Sequence, residues 1–251
     1  MIYNRPEYWL AKTETVVPYL TFSSPSSFTL AVGDATKHWD GTLEYSTDKT
    51  AWDTWDGTIA LSSATSGNKD VLYLRGTGNT KIGYYSADKD DYIPWTISGT
   101  DVRCDGNIET LLDYATVEAG QHPTMAEECF AGMFYGCTSL TQAPVLPATT
   151  LADNCYTGMF YGCTSLTQVP VLPAMTLTDG CYNGMFEGCT SLKLSSTQTG
   201  EYAQEYRIPT SGAGTSAINA MFGMFASTGG TFKGTPTINT TYYLSNTNSV
   251  V

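Results

Sequence analysis

The sequence predicts a mainly β protein with short helices, in which an N-terminal antiparallel β-sandwich is followed by a short solenoid of stacked repeats. Three observations predict it. Residues 18–100 break into β-rich runs of four or five residues, separated by clusters of Gly, Pro, Asp, Ser and Asn. All five Trp lie before residue 96 and all seven Cys lie after it, which divides the chain near Gly99 to Asp101. Residues 129–154 and 155–180 are two consecutive copies of one 26-residue unit; six positions differ, so 20 of 26 are identical. Self-similarity at a fixed period is what a chain stacking on itself requires.

Residues 1–17 read as an N-terminal arm. They lack the basic start, apolar stretch and small-residue cleavage site of a secretory signal, because Glu7, Lys12 and Glu14 interrupt any such stretch. The expectation is a chain that stays inside its cell or leaves by lysis. Residues 18–100 read as the β-sandwich, with strands at Tyr19–Phe22, Phe28–Val32, Gly41–Tyr45, Thr58–Leu61 and Val71–Arg75. The stretch Ser46-Thr-Asp48-Lys-Thr50-Ala-Trp52 resembles the Asp-box turn of sialidase-type propellers. It lacks the central Gly, is one residue short and occurs once, so it reads as a hairpin turn with Trp52 packed over it. The acidic run Asp88-Lys-Asp90-Asp91 lacks the spaced ligands and Gly of a calcium loop and reads as a solvated turn. Trp39, Trp52 and Trp55 read as core ahead of a sugar-stacking platform.

Residues 101–200 read as the repeats with a leading cap, and residues 201–251 as a degenerate repeat with a C-terminal cap. A third copy opens at Cys181 as CYNGMFEGCTSL and decays after Leu192. The unit Leu166-x-x-Val169-x-Val171-x-x-Ala174-x-x-Leu177 fits the leucine-rich-repeat template, with the short strand around Leu166 to Val171. The template points Leu166, Val169 and Val171 inward and leaves Thr167, Gln168 and Pro170 outside, with Thr141, Gln142 and Pro144 equivalent one unit earlier. The segment Asp153 to Cys163 reads as a short helix, capped by Asp153 or Asn154 and ended by Gly162. Downstream, Ala220-x-x-x-Met224-Phe225 keeps the Cys-x-x-x-Met-Phe spacing after a 13-residue insertion.

The phrase Met133-Phe-Tyr-Gly-Cys-Thr-Ser-Leu-Thr-Gln-Ala-Pro-Val-Leu-Pro-Ala-Thr-Thr-Leu151 resembles the unit of BspA-like leucine-rich repeats, closely over residues 129–192 and more loosely on both sides. That resemblance implies a leucine-rich-repeat solenoid used for adhesion and binding. It also implies a surface or secreted protein of gut and oral bacteria, or a virion protein of their phages. The short array and the missing export signal favour the virion.

The remaining features bound the function. A net charge of −12 repels phosphate backbones, which argues against nucleic acid. No apolar run is long enough to span a membrane. The two His, His38 and His122, lie near no nucleophile motif, and no G-x-S-x-G, H-E-x-x-H, P-loop or G-x-G-x-x-G is present. The cysteines lack the close pairs of zinc sites; Cys137, Cys163 and Cys189 occupy equivalent positions and read as reduced, buried fillers. The expectation is therefore a non-enzymatic protein, with no catalytic residue, metal or cofactor. Its partners are expected to be other virion proteins or a host-surface glycan or protein, with room for a homo-oligomer. A bacterial cell-surface adhesin and an accessory module of a carbohydrate-active enzyme are the alternatives. The candidate binding residues are Thr141, Gln142, Thr167 and Gln168, helped by exposed Tyr135 and Tyr161. The face carries no charge, so binding is expected to depend little on salt.

Overall fold

A computed structural model describes residues 17–33, 38–83, 85–86 and 91–251. Most of the N-terminal arm and the side chains of the Asp88–Asp91 run lie outside the described residues. The fold is mainly β, as expected. Its strands are β1 (Leu20–Ser24), β2 (Thr29–Val32), β3 (Thr42–Ser46), β4 (Asp53–Trp55), β5 (Leu61–Ser62), β6 (Ala64–Ser66), β7 (Lys69–Thr77), β8 (Tyr85–Ser86), β9 (Asp91–Tyr92), β10 (Trp95–Ser98) and β11 (Val102–Asp105). There follow helix α1 (Thr110–Glu118), β12 (Leu140–Gln142), β13 (Gln168–Val169), β14 (Leu194–Ser195), β15 (Tyr202–Arg207), β16 (Thr241–Ser245) and β17 (Ser249–Val250). No helix among the described residues is long and apolar enough to cross a membrane.

One nine-stranded sheet runs in the order β17-β13-β12-β11-β1-β7-β3-β4, with β6 also on β7. A three-stranded sheet, β10-β2-β5, shares its core. Alternation explains the packing: Leu20 and Phe22 of β1, Leu72 and Leu74 of β7, and Leu30 and Val32 of β2 are all buried, while the residues between them line the other face. Strand β11 pairs antiparallel with β1 and parallel with β12, so the sheet runs unbroken past the Gly99–Asp101 turn into the repeats.

The repeats stack. Phe134, Phe160, Phe186 and Phe225 form a column with rings 5.6 Å apart at each step, and Phe130, Tyr156 and Tyr182 form a second at 5.7 and 6.0 Å. Phe225 of the Ala220–Phe225 segment thus continues the column one step beyond Phe186. The chain closes both ends of the stack. At one end Ile82 and Gly83 donate to the Cys129 carbonyl and Trp95 to that of Met133; at the other, Phe225 donates to the Gly234 carbonyl.

The expected short helix at Asp153–Cys163 is corrected: the segment is a run of turns. Asn154, Gly158 and Gly162 have φ of 55°, 58° and 69°, a left-handed residue at every fourth position, which no α-helix tolerates. Gly158 and Gly162 supply that backbone without a Cβ penalty. Between them, N–H groups alternate in direction. Thr157, Met159, Tyr161 and Cys163 donate three residues back, whereas Tyr156, Gly158, Phe160 and Gly162 donate to the next coil at 2.7–3.0 Å. The same four-residue period recurs in the neighbouring coils, so the coils bond to each other as strands do.

All seven cysteines are free and buried. Burial pushes every one of these thiols up, Cys137 to about 12 and Cys181 to about 11. The column Cys137, Cys163, Cys189 does more than fill space. Each thiol donates to a carbonyl of the preceding layer, those of Trp95, Phe134 and Phe160, at 3.1, 3.1 and 3.0 Å.

Candidate functional site

The strand residues assemble into a row. Across the sheet, Ser23 of β1 faces Arg103 of β11, Arg103 faces Gln142 of β12, Gln142 faces Gln168 of β13, and Gln168 faces Ser249 of β17. Residues directly opposite share a face, and the neighbouring pair, Phe22 and Cys104, is buried on the other. The row therefore lies on the side of the sheet away from the core.

Four expectations about this face change. Gln142 is buried, at 4% exposure, rather than presented. Its amide bridges neighbours: Arg103 Nη2 donates to its Oε1, and its Nε2 donates to an Asp105 carboxylate oxygen. Arg103 and Asp105 also put charge on a face expected to have none. The hydroxyls of Thr141 and Thr167 are used between strands, donating to the carbonyls of Val102 and Thr141 at 3.2 and 3.3 Å. Gln168 stays half-buried, with its Oε1 3.5 Å from Arg103 Nη2.

The inward register also shifts. Val171 is half-buried and Val145 likewise, whereas Pro170 and Pro144 are buried and Leu172 and Leu146 take the interior places. Strand β13 is two residues long, and Pro170 has no N–H with which to extend it, so alternation stops there. The Tyr206 hydroxyl of β15 donates to the Pro170 carbonyl and covers it. Tyr135 and Tyr161 are half-buried rather than exposed. They stack on each other at 4.6 Å, beside Tyr92 of β9.

At the β1 end, the row opens into a cleft of about 280 Å³ lined by Ser23, Ser24, Pro25, Asn68, Lys69 and Arg103. A second cleft of about 310 Å³ holds a pair that the sequence reading missed, Glu109 and His122. Asn107 Oδ1 takes the Glu109 N–H and turns the chain into α1, which sets the Glu109 carboxyl inward at 1% exposure. His122 Nδ1 approaches Glu109 Oε2 at 2.8 Å. Thirteen residues separate the two, so only the scarcity of His marks the pair in the sequence. Burial raises the Glu109 carboxyl above its usual 4.5, and the His122 contact opposes this. The folded state thus holds this proton to higher pH than the unfolded chain. The contribution to stability is complete below the unfolded value and is lost as pH rises through the folded one. Denaturant titrations at about pH 4 and pH 7 should show wild type losing ground to Glu109→Gln as pH rises; an unchanged gap between the two would contradict this.

Of the three tryptophans read as core, two are core and Trp52 is not. Trp39 and Trp55 are buried, with rings 5.3 Å apart, and Trp95 joins them in the core. Trp52 is half-buried over the Ser46–Trp52 turn, where Asp48 Oδ1 accepts the N–H groups of Thr50 and Ala51 and is held well below the usual carboxylate range by them. Arg75 lies between the rings of Trp52 and Tyr114, at 4.0 and 4.4 Å.

Comparison of the chain with protein-family models, with curated proteins and with solved structures finds no match.

Proposed function

We propose that this chain is a non-enzymatic phage virion protein, an antiparallel β-sandwich carrying a short BspA-like leucine-rich-repeat solenoid, that binds a host-surface glycan through the polar strand row. The observation that carries this reading is the in-register line of Ser23, Arg103, Gln142, Gln168 and Ser249 across five strands of one sheet. Arg103, Gln168 and Ser249 are half-buried members of this row, and hydrogen-bonding side chains fixed on a rigid surface suit a ligand made of hydroxyl groups, because little side-chain freedom is lost on binding. The resemblance of the 26-residue phrase to BspA-like units supports the repeat type and the virion setting.

A glycan array and a pull-down from disrupted virions, each run with wild type and with a Gln168→Ala/Ser249→Ala variant, test the reading. Both residues are half-buried, so the variant should keep its melting temperature while glycan binding falls about tenfold. Undiminished glycan binding by the folded variant removes the row as the site. Capture of a virion protein with a blank array replaces the glycan by a protein partner.

A further inference from the structure

We infer that the cleft between β1, the β6–β7 turn and β11 binds a carboxylate-bearing sugar, with Arg103 and Lys69 holding the carboxylate. This rests on the glycan-binding reading and names the chemical class that the row would take.

Charge singles out the cleft. The chain carries 12 cationic against 24 acidic residues. Lys69 and Arg103 converge on this cleft, and neither has an ion-pair partner among the described residues. The nearest acids face other groups: Asp70 accepts from the hydroxyls of Ser63 and Thr65, and Asp105 accepts from the Gln142 amide. In a strongly negative molecule, two cations that make no ion pair and share one concavity favour an anion there.

Hydrogen-bonding capacity points the same way. A guanidinium has five N–H donors in a planar fork that matches a carboxylate. Arg103 spends Nη2 on the two glutamines, while Nε and Nη1 make no hydrogen bond among the described residues. The glutamines hold the fork in place. Ser23 lines the cleft, and its hydroxyl makes no hydrogen bond among the described residues, which leaves it free to bond to an occupant. Ser24 beside it is fixed as wall, donating to the Thr100 carbonyl at 2.7 Å.

Shape favours a sugar over an acidic peptide. At about 280 Å³ the cleft sits at the small end of ligand pockets and has room for one monosaccharide. Strand β1 is flanked by β7 and β11, so no free edge exists there for a peptide backbone to join. Asn68 and Ser23 offer amide and hydroxyl groups on either side of the cations, and Pro25 gives one apolar wall for the C–H face of a ring.

Titrating the full chain with glucuronic acid, N-acetylneuraminic acid, glucose and a triglutamate peptide, followed by amide chemical shifts, tests the assignment. The acidic sugars should bind about tenfold more tightly than glucose, more weakly at high salt, and shift the amides of residues 23–25, 68–69 and 103. Lys69→Ala, on an exposed side chain, should weaken them about fivefold, and Arg103→Gln about tenfold or more. Lys69→Ala keeps the test valid if Arg103→Gln disturbs the Gln142 contacts. Equal binding of glucose and glucuronic acid overturns the inference, as does binding of triglutamate in preference to the sugars, or indifference of acidic-sugar binding to both substitutions. If the array finds neutral glycans that depend on Gln168 while acidic sugars leave the cleft untouched, this inference fails and the glycan-binding reading stands.

Discussion

Phe160→Ala should cost about 4–5 kcal/mol, near the top of the range for removing a buried phenylalanine. Phe160 is fully buried, with the Phe134 ring 5.6 Å on one side and the Phe186 ring 5.6 Å on the other. Truncation removes its own burial and both ring contacts, each pair contributing about 0.5–1.5 kcal/mol beyond area. It also leaves a cavity that cannot collapse, because the coils on either side are pinned by bonds from Tyr156, Gly158, Phe160 and Gly162 to the next coil and from Phe134 to the Met159 carbonyl. Phe160→Leu keeps most of the volume and should cost about 1–2 kcal/mol. Denaturant unfolding of the two variants measures the difference. A loss under about 2 kcal/mol for Phe160→Ala would mean that the coils close over the gap, and that the aromatic column is not what spaces them.

The repeat was legible because its signal is identity at a fixed period, which survives any error about local conformation. A helix over Asp153–Cys163 would put Cys155 and Met159, four apart, on one face. Four-residue spacing of apolar side chains belongs equally to consecutive turns with a left-handed residue at every fourth place. The glycines at 158 and 162, set on the same four-residue grid, are the features that separate the two, since a helix has no use for both. The strand row was half legible. Gln142 and Gln168 stand 26 apart and fall in line with the repeat, but Ser23 and Arg103 reach that line through antiparallel pairing between β1 and β11. Register between strands 80 residues apart is set by tertiary packing, and no local pattern encodes it. For the same reason the burial of Gln142 is not legible: nothing near it in sequence announces that Arg103 and Asp105 will flank it. Pro170, with no N–H to donate, argues against a strand running from Leu166 to Val171 as the template sets it. The structure sides with the proline.

Gly76→Ala should be as damaging as any single methyl group in the molecule. Gly76 sits near the end of β7 where α1 crosses it, and a Cβ there would lie 1.7 Å from the Leu111 carbonyl oxygen and 2.5 Å from its carbon. Both are backbone atoms, so no rotamer change relieves the clash. The helix cannot simply lift away. The Asn79 side-chain amide donates to the Leu111 carbonyl at 2.9 Å, Asn79 N–H donates to that of Leu112 at 3.0 Å, and Gly78 N–H donates to the Asp113 carboxylate at 3.1 Å. Moving α1 by the ångström or more that a methyl needs would strain or break all three. Overpacking ordinarily costs about 1–3 kcal/mol, and backbone displacement with lost buried hydrogen bonds should carry this variant to about 3 kcal/mol or beyond. Two other glycines separate steric conflict from backbone conformation. Gly67 has open space around it but a φ of 68°, so Gly67→Ala should cost about 1 kcal/mol. Gly200 has open space and no left-handed requirement, so Gly200→Ala should be neutral. Thermal melts of the three variants should therefore rank Gly76→Ala far below Gly67→Ala, and Gly67→Ala below Gly200→Ala. A Gly76→Ala protein that melts with wild type would show that α1 does not rest on β7 as closely as described.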